Sequence, residues 1–388
     1  MSSSFATIFT TAFGRPPAFC GRAPGRVEFI GNHTDYNGGE VLGAAIDRYV
    51  WVAVAPREDT CVRVKTSSHS QTAEADLLDL KPLAGALTWA NYPLGVVVEM
   101  KAAGVPMPHG FDLYVDSTLP SGAGLSSSAA FEMATVVVLQ ALYGAHFTTL
   151  QQALMAQRAE NNFVGVPCGL LDQGVSAFGQ TGHLVHLDCA ENRITPLALG
   201  GEVAFWVFNT NCKHSLVDSQ YAVRRQECEA AFAKLQARYP GVDHLAHYAE
   251  DTVLASRDML SPEELARARH ITAENARVQA VGKALETGDL NEVGALMAAS
   301  HASSRDLFAN STPELDALAE SLNAHEAVYG ARLTGGGFGG AVLAMTRPDF
   351  SEAMAEEVRA EYRAKRPTAP EPTVLAVQTA DGATLLAD

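Results

Sequence analysis

Three short stretches of this chain carry side chains and backbone that could do chemistry. The run Leu119-Pro120-Ser121-Gly122-Ala123-Gly124-Leu125-Ser126-Ser127-Ser128-Ala129-Ala130 lies between a strand-like and a helix-like segment. Gly122 and Gly124 remove side chains where backbone would approach a ligand. Ser126, Ser127 and Ser128 supply a cap and hydroxyls to a helix start whose free N–H groups favour anions. Such a run reads as a phosphate cradle or as an ordinary strand-to-helix connection. Upstream, residues 22–39 crowd polar and glycine residues into what should be a plain strand and turn. Arg26 offers a planar donor fork for phosphate or carboxylate, while Asn32, His33 and Asp35 suit several hydroxyls at once. The alternative is a surface turn with a capping Asp. Near the other end, Arg332-Leu333-Thr334-Gly335-Gly336-Gly337-Phe338-Gly339-Gly340 has five glycines in its last six positions, a pattern that favours close backbone approach to something.

A fourth feature is a single acid. Asp172 follows Leu170 and Leu171 in a segment entered through Gly165, Pro167 and Gly169. A carboxylate on an apolar stretch is costly unless paired or used, and the competing reading is a helix N-terminal charge facing solvent.

These residues need elements to hold them. Apolar alternation predicts strands over 49–55, 61–65, 111–115, 183–188, 203–209, 341–346 and 374–379. Helical patterns run over 94–103, 126–143 and 151–162, the last carrying Glu160 near its end. The helix after the cradle is apolar on most faces and should be buried. Trp89 precedes a helix start, where it either stacks on a nucleobase or simply packs. A long helix begins near Tyr221, which is a ligand contact or an interface residue. Residues 250–326 read as helical with no evident chemistry, and His270, His301 and His325 there read as surface or packing residues.

With 388 residues, 47% hydrophobic and 19% charged, the chain suits a globular protein of two domains. Its net charge of −16 argues against nucleic acid as a partner but leaves room for a nucleotide in one local pocket. Six scattered cysteines without a CxxC pair suggest reduced thiols. No basic leader with an apolar core and no bilayer-length apolar run is evident, so a cytoplasmic protein without a membrane partner is expected.

Taken together, the stretches 25–39, 120–130 and 333–340 resemble, in order and content, the three signature motifs of the GHMP small-molecule kinases. The run Gly-Arg-Val-x-x-Ile-Gly-x-His-Thr-Asp-Tyr-Asn-Gly-Gly at 25–39 looks like the galactokinase signature, with further matches at 89–92, 166–169, Asp172-Gln173 and 221–225. The resemblance implies an α/β (α+β) fold of two domains, residues 1–195 ribosomal-protein-S5-like and residues 196–388 ferredoxin-like, with the active site in the cleft. It implies an ATP-dependent sugar 1-kinase, a monomer with small-molecule substrates only. A non-catalytic sugar and ATP sensor is the alternative from another class.

Carried onto this sequence, the resemblance gives Asp172 the role of general base at the anomeric hydroxyl, with Arg26 beside it. Asn32, His33, Asp35, Gly169, Asp172 and Tyr221 would form the sugar pocket. No GxxxxGK[ST] motif is present, so ATP would be held by Trp89, Ser121, Gly122, Ala123, Gly124, Leu125, Ser126, Ser127, Ser128, Gly336 and Gly337. Ser127 and Glu160 would bind Mg²⁺. At position 32 the chain departs from the family, which usually has a Glu that accepts a hydrogen bond from the sugar's 6-hydroxyl. An amide accepts without charge assistance, leaving galactose, N-acetylgalactosamine or a pentose such as arabinose open as substrates.

Overall fold

The computed structural model describes residues 2–120, 124–212 and 217–387, so Ser121, Gly122 and Ala123 of the glycine-serine loop lie outside the described residues. The first half of the chain supplies β1 (Phe19–Ile30), β2 (Glu40–Pro56), β3 (Cys61–Thr66), β4 (Ala73–Asp76), β5 (Phe111–Ser117), β6 (His183–Asp188) and β7 (Arg193–Ala198). β1 and β2 form a long antiparallel ladder with register shifts between Pro24 and Arg26 and between Glu28 and Ile30. Such irregularities bend a strand and re-aim its side chains, here at the two positions that matter for the site.

The second half supplies β8 (Ala204–Asn209), β9 (Val328–Thr334), β10 (Ala341–Thr346) and β11 (Thr373–Val377), in spatial order β11-β8-β10-β9 with every pair antiparallel. With helices between β8 and β9 and between β10 and β11, this is the ferredoxin-like arrangement. The division expected at 195/196 falls inside β7, which runs to Ala198 and stays paired with β6. The chain's last strand, β12 (Thr384–Leu385), returns to the first sheet beside β1. Both displacements come from long-range ladders that no local composition shift announces.

The helices of the first half are α1 (Ser2–Phe13), α2 (Asn91–Ala102), α3 (Ser127–Tyr143), α4 (Thr149–Arg158) and α5 (Leu171–Phe178). α3 is buried from Ala129 through Leu139, as its all-round apolar surface requires, and stops at Gly144 in the left-handed conformation. The helix expected over 151–162 ends instead at Arg158. It loosens into a π-helical turn, Ala159–Val164, which carries Glu160. π turns of this kind recur where function needs a side chain placed off the regular helix. The second half adds α6 (Val217–Arg238), α7 (Glu250–Ala255), α8 (Pro262–Thr287), α9 (Leu290–Ser303), α10 (Pro313–Asn323) and α11 (Glu352–Lys365). α8 begins with the Ser261/Glu264 capping box and a proline in its first turn.

The two sheets share a core. Val27 and Phe29 of β1 belong to the same apolar cluster as Phe205, Val207 and Leu343 of the second sheet, and the Phe29 and Phe205 rings meet edge-on at 6.0 Å. The cleft between the sheets therefore has a fixed floor. All six cysteines are free thiols, and among the described residues no helix is long and apolar enough to cross a membrane.

Candidate active site

Side chains two apart on a strand share a face, so Arg26 and Glu28 of β1 emerge together into the cleft. Arg26 closes its fork on one carboxylate oxygen: Nε and Nη2 donate to Asp172 Oδ1 at 2.7 and 2.6 Å. The other oxygen, Oδ2, accepts from Ser126 Oγ at 2.6 Å, and Arg26 Nη1 donates to the Gly124 carbonyl at 2.6 Å. The base candidate of α5, the arginine of β1 and the loop that starts α3 are thus one hydrogen-bonded unit, although residues 26 and 172 are far apart in sequence. Ser126 reaches Asp172 from a left-handed backbone, φ 55°, which a non-glycine residue adopts only when its surroundings hold it there.

Two cavities meet at this unit. One, of about 350 Å³, is walled by Glu28, Asp35, Gly169, Tyr221 and Gly336 among others. The second, of about 290 Å³, is lined by Gly124, Leu125, Ser126, Ser127 and Ser128 from the loop and first turn of α3. Arg26, Asp172, Gly335 and Gly336 line both. The α3 N-terminus gives the second cavity unpaired N–H groups and a favourable dipole for anions.

In the first cavity, Asp35 shows why position 169 is glycine. A Cβ at Gly169 would stand 1.8 Å from Asp35 Oδ2. Gly169→Ala should therefore force the Asp35 carboxylate out of place. The expected result is a rise of about tenfold or more in KM for the molecule bound in this cavity, with the KM of the one bound in the second cavity little changed, and steady-state kinetics against each substrate checks it. Burial pushes the Asp35 carboxyl up to about 7, with Glu28 and Asp172 adding to the rise and the Tyr36 N–H opposing it.

His33 is spent on structure. Its Nε2 lies 3.1 Å from the Gly336 carbonyl, which can only accept, so Nε2 carries the proton and Nδ1 accepts from the Tyr36 hydroxyl at 3.0 Å. Burial drives its pKa down to about 3, which keeps the ring neutral, and it stacks on Phe308 with centroids 4.3 Å apart. His33 lines the cavity chiefly as a brace between the first motif and the third glycine loop. Tyr221 stands beside it at 5.1 Å.

Asn32 has a different task from the one expected. Its Nδ2 donates to Glu28 Oε1 and to the Gly335 carbonyl, both at 2.9 Å, and its Oδ1 accepts from Asn310 Nδ2 at 2.8 Å and Ser304 Oγ at 3.2 Å. Fully buried and with donors and acceptor all occupied, this amide has nothing left for a sugar hydroxyl. Asn32 still borders the first cavity, whereas two other residues expected at the ligand, Trp89 and Gly337, line neither of the two cavities. Trp89 stacks face to face on His69 at 5.2 Å. Gly337, at φ 79°, backs onto Asn310, where a Cβ would come within 2.3 Å of the carbonyl oxygen. Gly336 alone of that pair borders the cavities.

Glu160 sits on the wall of the first cavity, and its Oε2 accepts from Gln173 Nε2 at 2.6 Å. That same amide nitrogen reaches Glu132 Oε2 at 3.0 Å. Burial raises both carboxyls, and each lies close to a further acid that raises it more.

The helical region expected to carry no chemistry in fact clamps the loop of the first motif. Glu274 of α8 accepts the backbone N–H groups of Gly31 and Asn32 at 3.0 and 3.1 Å, and His270 Nε2 lies 3.0 Å from the Asn32 carbonyl. Burial would raise the Glu274 carboxyl, but Arg277, His270, Arg332 and the Ser300 hydroxyl bring it down to about 2. From β9, Arg332 is wholly buried and pairs with Glu28 at 3.0 Å. No local pattern marks these residues beyond Arg332's place at the start of the third glycine stretch.

Fold and site define a small-molecule kinase: a helix-capped phosphate loop, an acid held by an arginine, and a polar pocket for the acceptor. Three family models match the chain: the galactokinase galactose-binding signature over residues 7–56, the GHMP kinase N-terminal domain over 91–180 and the GHMP kinase C-terminal domain over 283–364. The chain belongs to the galactokinase family of GHMP kinases. It is 38% identical over 353 residues to a galactokinase of Chloroflexus aurantiacus, covering 90% of each chain. To one of Roseiflexus sp. RS-1 it is 39% identical over 355 residues, covering 91% of this chain and 90% of the other. A crystal structure of Lactococcus lactis galactokinase complexed with galactose matches with a TM-score of 0.93 at 31% identity, covering 99% of this chain and 100% of that one. Methanococcus jannaschii mevalonate kinase, at 15% identity and a TM-score of 0.64 over 93% of this chain and 98% of its own, shares the fold.

Proposed function

We propose that this protein transfers the γ-phosphate of ATP to the anomeric hydroxyl of α-D-galactose, giving galactose 1-phosphate and ADP. One observation carries the reading: the Arg26–Asp172 pair stands where the polar cavity and the phosphate-loop cavity join. Phosphoryl transfer passes through a loose, charge-spread transition state, so catalysis needs alignment and electrostatics more than covalent chemistry. Asp172 Oδ2 holds the Ser126 hydroxyl and keeps a lone pair for the acceptor hydroxyl, whose proton it takes. Arg26 holds Oδ1, and its remaining reach toward the phosphate loop favours negative charge on the group in transit. Asp35 and Tyr221 offer polar groups to the sugar ring, and the backbone of Gly335 and Gly336 closes the pocket between them.

The family implies Mg²⁺, and the residues fit. Glu132 Oε1 and Gln173 Oε1 are buried without a partner beside Glu160, and the donors are all oxygen, as a hard cation prefers. Ser127 and Glu160 would hold it, and the ion supplies charge neutralisation on the phosphates. The six free thiols suit a reducing, cytoplasmic setting, and one chain carries every residue named.

The match to the galactose-binding signature supports galactose as the acceptor; N-acetylgalactosamine, arabinose and a non-catalytic sensor role are not favoured. A coupled ADP-release assay with Mg-ATP across galactose, N-acetylgalactosamine and arabinose tests this. Galactose is expected to give the highest kcat/KM by at least about tenfold, and a higher value for either other sugar would overturn the assignment.

A further inference from the structure

Glu28 is a buried carboxylate in the wall of the polar cavity that the chemistry above does not use. Its backbone is fixed by Thr334, whose Oγ1 accepts the Glu28 N–H at 2.8 Å and donates to the Glu28 carbonyl at 3.1 Å. Its side chain is held from behind, since Oε1 accepts from both Asn32 Nδ2 at 2.9 Å and Arg332 Nη2 at 3.0 Å. Among the described residues no donor reaches Oε2. That oxygen is also absent from the sealed, partnerless polar atoms of the interior, while Glu28 borders the cavity. One oxygen is therefore anchored and the other is open to whatever fills the cavity. A buried carboxylate with a free oxygen is costly unless a ligand hydroxyl completes it.

Its place in the pocket says which hydroxyl. Glu28 lies two residues along β1 from Arg26, roughly 7 Å on the same face, and Arg26 marks the reacting end through Asp172. Asp35 feels the Glu28 charge across the same space. We propose that Glu28 is a specificity-determining residue that accepts a hydrogen bond from a hydroxyl at the end of the sugar remote from its anomeric carbon, O4 or O6. Asn32 and Arg332 are positioning residues that aim it. The proposal rests on the galactose reading, because Asp172 at the anomeric hydroxyl fixes the direction of the sugar.

The test is a substrate-by-variant matrix. Wild type and Glu28→Gln are assayed with galactose and its 2-, 3-, 4- and 6-deoxy analogues, with melting curves screening the fold. The expected result is a rise of about tenfold or more in galactose KM for the variant, the loss of a charge-assisted hydrogen bond, with kcat changed far less. That penalty should vanish for the 4- or the 6-deoxy sugar and persist for the 2- and 3-deoxy sugars. An equal penalty on all analogues, no penalty on galactose, or a penalty that vanishes only for the 2- or 3-deoxy sugar overturns the proposal. A purely structural Glu28 would give the equal-penalty pattern. Should Glu28→Gln fail to fold, Glu28→Asp decides instead: it keeps the charge opposite Arg332, withdraws the oxygen by one methylene, and should give the same matrix. Wild-type turnover of galactose, read in the same plate, tests the underlying substrate reading separately.

Discussion

Replacing Asp172 with Ala is expected to lower kcat by roughly a thousandfold while leaving ATP affinity within about threefold of wild type. Proton acceptance by a positioned base accounts for about 10²- to 10⁴-fold in rate, and no other carboxylate in the site is bound to Arg26. Asp35 and Glu28 line the same cavity, but Asp35 is packed on Gly169 and Glu28 is held by Asn32 and Arg332. Neither can swing into the vacated place. ATP affinity should survive because the phosphate cavity is built from the loop and first turn of α3, and Arg26 still has the Gly124 carbonyl as an anchor. Asp172→Asn sharpens the test, since an amide can keep the Ser126 and Arg26 contacts only in part and cannot take the proton. Single-turnover phosphate transfer and calorimetric titration of a non-hydrolysable ATP analogue measure the two quantities. Parallel loss of both would mean that Asp172 organises the cleft and is not the base.

Local features of the sequence were legible where local physics decides. The unbroken apolar surface of α3 and the glycine runs each carry their reason within a few residues. Asp172 was visible as an acid in an apolar setting, but its partner was not. Nothing in spacing joins residue 26 to residue 172, and only the family resemblance implied that they meet. The clamp on the first motif was illegible for the same reason: Glu274, His270 and Asn310 reach Gly31 and Asn32 across 238 to 278 residues. Position 32 misled because a polar residue in a binding motif reads as a ligand contact, whereas its amide is consumed by four neighbours. That exchange is decided by three-dimensional satisfaction of buried polar groups, and a one-dimensional pattern does not record it.

Arg332→Met should cost about 3–5 kcal/mol of stability, the usual price of leaving a buried charge without its partner. Arg332 is fully buried and ties the sheets together: its Nε donates to Ser300 Oγ at 3.0 Å, Nη1 to the Glu28 and Phe29 carbonyls at 3.2 and 3.4 Å, and Nη2 to Glu28 Oε1 at 3.0 Å. Burial already holds the Glu28 carboxyl above its ordinary value, with Arg332 the chief group opposing the rise. Without the guanidinium the carboxyl should climb further. A raised carboxyl in the native state keeps a proton that the unfolded chain releases, so native stability is greatest below the ordinary carboxylate range and falls as pH rises toward the raised value. The deficit of Arg332→Met should therefore be smallest near pH 5 and largest near pH 8, whereas loss of packing alone would give one figure at both. Urea denaturation at the two pH values measures it. The double variant Arg332→Met/Glu28→Gln should recover much of the loss at pH 8, because removing both charges of a buried pair is far milder than removing one. A deficit independent of pH and unrelieved by the second change would show that Arg332 contributes through its carbonyl contacts to β1, and that Glu28 is held in place by Asn32 alone.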